Sequence, residues 1–316
     1  MKKLLLALFI LITFVISHMK QPSIDKHSKN NDSLIEVIHG EYVFSCRTSG
    51  LENNGEAVIL LHGFPETSHM WVDLLPQLSN QGYRVVAPNQ RGYSPGARPK
   101  DLKEYSIKNI AEDVFALADT FNFKQFHLVG HDWGSTIGWA VVTLQPEKVL
   151  SWTSISVPHM KAFSYAYRHD QDQQKRSRYF GFFKIPLIPE FYFSWNEYSN
   201  LKKIWNKSSP EQKEIYLDVF KQPGAIKAAL NWYRANIGTA INTKDQIEFD
   251  DVIVPSQLIW GKKDMALGRK GAELTEDYMD GPYRFIELDA GHWLIQESFP
   301  EVSSAIIEHI KKYSMK

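Results

Sequence analysis

The chain has 316 residues, 43% hydrophobic and 13% aromatic, enough to bury one sizeable core, or a core and an inserted lobe. Its 36 basic and 36 acidic side chains cancel, and no basic stripe stands out, which argues against nucleic acid as a partner. The one cysteine, Cys46, excludes an intrachain disulfide, and with no Cys-His cluster a thiolate metal site is not expected.

At the start of the chain, Lys2 and Lys3 precede an apolar run over residues 4–16 that only Thr13 interrupts. Residues 1–17 therefore have the layout of a secretory signal, and the run is short of the ~20 residues a membrane span needs. Val15 and Ser17 are the small residues before a cleavage point, which would start the mature chain near His18. The alternative is an uncleaved N-terminal anchor attached to a membrane. Residues 18–33 read as a polar tether. The expectation is export, whether periplasmic, secreted or membrane-anchored.

Residues 34–48 alternate as a β-hairpin does, with Gly40 near the turn, and Cys46 reads as filler in this early strand pair. A short apolar strand at 58–61 runs into His62-Gly63-Phe64-Pro65, and a second at 83–87 into Arg91-Gly92-Tyr93-Ser94. Residues 106–119 form an amphipathic helix with Ile107, Ile110, Val114, Leu117 and Ala118 on one face. A buried strand at 126–130, a helix at 135–144 and a strand at 149–157 follow. Strands alternating with helices predict a mostly parallel sheet with helices on both faces.

The alternation stops at Pro158. Residues 158–246 are aromatic-rich and helical in pattern, with a helix start at Ser209-Pro210-Glu211-Gln212. Strands resume at 255–261 and 284–288, and a helix over 300–312 closes the chain. The expected organisation is an α/β core in 34–157 and 247–316 carrying a helical lid, 158–246.

The core is organised around FHLVGHDWG, residues 126–134. Strand, sharp turn and helix, with Gly130 and Gly134 flanking the central residue, make the geometry of a nucleophile elbow. The residue at its tip is Asp132. A carboxylate gains nothing by attacking an ordinary ester, but it suits displacement at a saturated carbon with a leaving group, such as an epoxide oxygen or a halide. The plainer reading is that Asp132 caps the following helix. Asp264 follows the strand ending at Trp260-Gly261, and His292 follows the strand ending at Leu288. Carboxyl ends of parallel strands share one edge, so the three residues are expected to converge as nucleophile, acid and histidine, in that chain order. Taken singly, Asp264 is a turn residue and His292 a surface histidine.

His62-Gly63-Phe64-Pro65, the Asp-centred elbow, Trp260-Gly261-x-x-Asp264 and Gly291-His292-Trp293 resemble the α/β-hydrolase superfamily, and within it the epoxide hydrolases. The likeness covers residues 34–312. It implies an α/β-hydrolase fold and an oxyanion hole made by the backbone N–H groups of Phe64 and Trp133. It also implies two lid tyrosines that hydrogen-bond the epoxide oxygen. Tyr233, in Asn231-Trp232-Tyr233-Arg234, resembles the second of these, and Tyr179, in SRYFGFFKIP, the first. Aromatic packing is the competing reading for both. The implied reaction has no cofactor or metal: Asp132 opens an epoxide to give an ester, and His292, oriented by Asp264, activates the water that hydrolyses it to a diol.

Haloalkane dehalogenases share the Asp nucleophile and often the Trp after it. Many of them hold the halide with a polar residue where this chain has Phe64, whose side chain has no donor. Fluoroacetate dehalogenases keep the HGFP motif but place arginine where Trp133 stands. A lidded ligand-binding protein without catalysis is the reading from another class, and the complete triad argues against it. The aromatic lid (Phe163, Tyr165, Tyr167, Phe180, Phe182, Phe183, Phe191, Tyr192, Phe193, Trp195) fits either an apolar substrate or core packing.

Overall fold

The computed structural model describes residues 24–25, 33–238 and 247–315. The leader read at 1–17 and the end of the lid at 239–246 lie outside the described residues. Among the described residues nine strands form one sheet: β1 (Ile24–Asp25), β2 (Ser33–His39), β3 (Tyr42–Ser49), β4 (Ala57–Leu61), β5 (Arg84–Pro88), β6 (Phe126–His131), β7 (Val149–Ile155), β8 (Ser256–Gly261) and β9 (Tyr283–Leu288). Their spatial order is β1-β2-β3-β5-β4-β6-β7-β8-β9. β1, β2 and β3 enter antiparallel, and every pair from β5 onward is parallel. Strand β1 lies within the stretch read as a polar tether and pairs with β2, Ile24 opposite Ile35 and Asp25 opposite Leu34.

Residues of β4, β6 and β8 are buried throughout, as strands covered on both faces must be, which explains the unbroken apolar run of β4 and the largely apolar centres of β6 and β8. Helices α1 (Leu74–Ser79), α2 (Ile107–Thr120) and α3 (Trp133–Leu144) follow in the first half of the core. Ser106 starts α2 by accepting from the Asn109 N–H at 3.3 Å, and Ile110, Val114, Leu117 and Ala118 make its buried face. Chain order reverses between β5 and β6, which lie on opposite sides of β4. The crevice at such a switch point is where open α/β sheets hold ligands. Gly134 permits the elbow's close approach there, since a Cβ would fall on the Leu61 carbonyl.

Between β7 and β8 the chain builds α4 (Met160–His169), α5 (Gln171–Arg176), α6 (Tyr179–Lys184), α7 (Ile188–Ile204), α8 (Pro210–Phe220) and α9 (Ala225–Asn236). α7 is broken at residues 195–198, where the backbone leaves helical geometry. α8 begins with a full capping box: Ser209 Oγ accepts from the Gln212 N–H and Gln212 Oε1 from the Ser209 N–H. Polar ties pin these helices to the core. Trp232 Nε1 donates to the Arg91 carbonyl at 2.8 Å, Trp205 Nε1 to Pro65 at 3.0 Å, and Asn236 Oδ1 accepts from the Ile107 N–H at 3.0 Å. Helices α10 (Arg269–Leu274), α11 (Leu294–Glu297) and α12 (Phe299–Lys312) complete the core. Among the described residues no helix is long and apolar enough to cross a membrane.

Candidate active site

Asp132 stands between β6 and α3 with φ 52° and ψ −122°, a conformation that non-glycine residues rarely hold. Two N–H groups of the first helical turn, Ser135 at 2.9 Å and Thr136 at 3.1 Å, bond its carbonyl and fix the backbone. Its side chain makes no capping bond, so the capping alternative fails. The carboxylate points instead to the loop after β4, where the Phe64 N–H donates to Oδ1 at 2.7 Å. Gly63 permits this approach, because a Cβ at that position would overlap the Asp132 carboxylate. His62 braces the same loop through Nδ1, 3.0 Å from the Gly63 carbonyl, while Nε2 accepts from the Gln90 N–H at 3.1 Å. Burial lowers the His62 pKa to about 4, keeping that ring neutral.

His292 lies in the loop after β9. Its Nε2 is 3.6 Å from Asp132 Oδ2, and its Nδ1 is 3.0 and 3.2 Å from the two oxygens of Asp264. Asp264 is buried and well satisfied. Oδ1 accepts from the N–H groups of Ala266 at 2.8 Å and Leu267 at 3.0 Å, and Oδ2 from Ser156 Oγ at 2.7 Å. Burial alone would raise its pKa. The charge and hydrogen bond of His292, with those of Ser156 and the Leu267 N–H, outweigh burial and hold it low. For His292 burial would lower the pKa, but Asp264 and Asp132 outweigh it and hold the imidazole well above its ordinary value. The triad read from three strand ends is thus assembled within hydrogen-bond and ion-pair distances.

Trp133 opens α3, where the first N–H groups have no intrahelical partner, and its ring lines the cavity over Asp132. Tyr179, at the start of α6, and Tyr233, on α9, bring their rings to 6.1 Å from each other. Tyr233 packs against Trp133 at 5.0 Å. Burial raises both phenol pKa values; next in weight is Asp132 for Tyr179, and Tyr179 followed by Asp132 for Tyr233. Both hydroxyls are therefore neutral donors at physiological pH. Asp132, Trp133, Tyr179 and Tyr233 line one cavity of about 290 Å³. The lid aromatics divide into groups. Phe163, Tyr167 and Phe180 line this cavity, Phe183 and Phe193 are packed in the core, and Tyr165, Phe191, Tyr192 and Trp195 are exposed. The aromatic-rich stretch is thus divided among a cavity wall, core packing and exposed surface.

Three further residues border the triad without having been singled out from the sequence. Ser156, at φ 76° just after β7, lies 3.0 Å from His292 Nδ1 while donating to Asp264. It falls inside the strand predicted over 149–157, whereas the structure ends that strand at Ile155, so no strand-end signal marked it. His131 Nε2 donates to the His292 carbonyl at 2.9 Å, and its Nδ1 is 3.3 Å from Glu66. Glu66 is buried and accepts from Gln296 at 2.6 Å and Tyr216 at 3.2 Å. Among the described residues no group of three or more His, Cys, Asp or Glu side chains is placed to hold a metal ion.

The alpha/beta hydrolase fold family matches residues 56–299. The chain is 33% identical over 267 residues to AB hydrolase superfamily protein YfhM of Bacillus subtilis (strain 168), covering 82% of this chain and 91% of that one. It is 33% identical over 269 residues to epoxide hydrolase 4 of Mus musculus, covering 81% of this chain and 73% of that one. Among solved structures it matches an epoxide hydrolase of Bacillus megaterium in complex with an inhibitor. The TM-score there is 0.79 at 25% identity, over 87% of this chain and 99% of that one.

Proposed function

The chain belongs to the α/β-hydrolase family, and we propose that it is an epoxide hydrolase converting an apolar epoxide to a vicinal diol through an ester on Asp132. One observation carries this reading. A carboxylate held on the Phe64 N–H shares a cavity with two neutral phenols, Tyr179 and Tyr233. The carboxylate is the nucleophile, and the phenols meet the oxygen that leaves carbon.

With Oδ1 engaged by Phe64, Oδ2 attacks an epoxide carbon. The carbon–oxygen bond breaks, and the alkoxide takes a hydrogen bond and then a proton from the tyrosines. Before this step the imidazolium of His292 sits between two carboxylates, Asp132 and Asp264. Esterification removes the charge of Asp132, so the imidazole gives up its proton, which returns to the deprotonated tyrosine, and becomes a base. It deprotonates a water, which attacks the Asp132 carboxyl carbon. The oxyanion forms at Oδ1 on the Phe64 and Trp133 N–H groups, and collapse releases the diol with a proton from His292.

A departing halide would need donors on the Phe64 side of Asp132, where the structure has a phenylalanine ring. Turnover of styrene oxide against 1-chlorohexane by the purified protein tests the assignment. Diol from the epoxide with no chloride release is expected, and the opposite result would replace it with dehalogenation.

We also propose export, which rests on Lys2-Lys3 and the apolar run over 4–16. N-terminal sequencing of protein from its native host should find a start near His18, or an intact N-terminus in the membrane fraction. Intact Met1 in the soluble cytosol would end that proposal.

A further inference from the structure

The two flanks of Asp132 differ. On one, the cavity runs past Val157, Met160, Phe163 and Leu267. On the other stands the ring of Phe64, whose own N–H holds the carboxylate. That ring is enclosed by Phe183 at 5.4 Å, Tyr233 at 5.5 Å, Phe193 at 6.0 Å and Phe220 at 6.4 Å, all edge-on. Such separations are those of rings in direct contact, and they leave no width for a substrate group between them. The cluster is also backed. Trp205 packs on Phe220 at 5.8 Å while its indole N–H is held by the Pro65 carbonyl.

The tyrosine pair is the partition between these flanks. Phe180 meets Tyr179 and Tyr233 from the cavity side at 4.7 and 5.9 Å. Phe183, three residues on along α6, meets the same two rings at 5.1 and 4.9 Å and reaches the Phe64 ring. An epoxide whose oxygen lies at the two phenols has its two carbons strung across the carboxylate. A substituent on one carbon enters the cavity, and a substituent on the other would have to enter the packed rings.

We infer that this site takes terminal epoxides, with their substituents on one ring carbon, and that the Phe64–Phe183–Phe193–Phe220 cluster excludes epoxides substituted on both carbons. The inference rests on the epoxide hydrolase reading and adds the shape of the substrate to it.

Two isomers separate shape from hydrophobicity. 4-Phenylstyrene oxide carries both its rings on one epoxide carbon, and trans-stilbene oxide carries one on each. The purified protein should favour 4-phenylstyrene oxide in kcat/KM by about a hundredfold, the scale on which a pocket rejects a group it cannot seat. A preference below tenfold would overturn the inference. Phe183→Ala should open the closed flank and cut that preference by tenfold or more. The ratio is taken within one preparation, so any loss of folded protein cancels. An unchanged ratio would remove the assignment to this cluster. Failure to turn over either isomer or styrene oxide would instead overturn the epoxide hydrolase reading beneath it.

Discussion

The strand-end half of the site and the lid half are held by different forces. At the strand ends, Asp132, Asp264 and His292 are positioned through backbone N–H groups, strained backbone and buried charge. In the lid, Tyr179 and Tyr233 are positioned by rings packed on rings, with Phe180 and Phe183 against both. Hydrogen bonds to a carboxylate fix an atom in one direction, whereas ring packing fixes a surface, and the phenol tips are tied to other side chains, Tyr179 to Tyr233 and Tyr233 to Trp133. The carboxylate and the imidazole that we propose as nucleophile and base therefore sit at the strand ends. Groups that shape the pocket and follow the moving oxygen sit on the lid. The two halves should fail differently when broken.

The largest effects belong to the strand ends. Asp132→Ala should abolish turnover and form no covalent adduct with an epoxide. His292→Gln should also stop turnover, but by stalling the second step, because Asp132 and both phenols remain. Intact-protein mass spectrometry should then show the protein plus one substrate. A diol-forming His292→Gln protein with no adduct would mean that water attacks the epoxide directly and Asp132 acts as a general base. The adduct in the variant separates the two chemical steps, which loss of activity alone cannot do.

The same contrast governs how much was legible in the residues themselves. Asp132, Asp264 and His292 could be found because each follows a short apolar strand, and parallel strands bring their carboxyl ends to one edge. The Ser209 capping box was legible for a like reason, since its partners are three residues apart. Glu66 and His131 were not. They meet only because β4 and β6 are neighbours in the sheet, and a buried acid and histidine 65 positions apart carry no local signature. The lid aromatics had the composition of a pocket and of a core at once. Helix register, with Phe180 and Phe183 on different sides of the tyrosines, decided which was which. The break in α7 at 195–198 lies in a stretch with neither glycine nor proline to mark it.

Next in size are the lid tyrosines. Removing one donor to a developing oxyanion typically costs about 2.7–4 kcal/mol of transition-state stabilisation. Tyr179→Phe and Tyr233→Phe keep the rings, and each retains one phenol, so each should fall at or below that range in stopped-flow rates of ester formation. The double variant should be nearly inactive on epoxides while its thermal unfolding stays close to that of the parent, because the ring contacts persist. Ring opening untouched in the double variant would sever the lid from the chemistry and leave the strand-end triad standing alone.

The smallest effect tests whether the strand ends are held as tightly as the distances imply. Ser156 donates to Asp264 Oδ2 at 2.7 Å and takes part of the charge that otherwise falls on the imidazole. Its hydroxyl is one of the groups that lower the Asp264 pKa, so losing it raises that pKa while leaving the carboxylate ionised near neutrality. The freed charge then stabilises the His292 imidazolium further. In the ester the imidazole still faces Asp264, which raises its pKa; it acts as a base only above that pKa, and hydrolysis of the ester fades as pH falls through it. Ser156→Ala should therefore move the acid limb of ester hydrolysis to higher pH and slow this step about tenfold, the scale of one hydrogen bond to a charged group. Ester formation, which needs no base, should change little. Ser156→Gly removes the same hydroxyl but suits the φ of 76°, so the two variants should share the pH shift and differ in stability. If the alanine variant alone shifted the profile, the backbone strain and not the hydroxyl would be responsible.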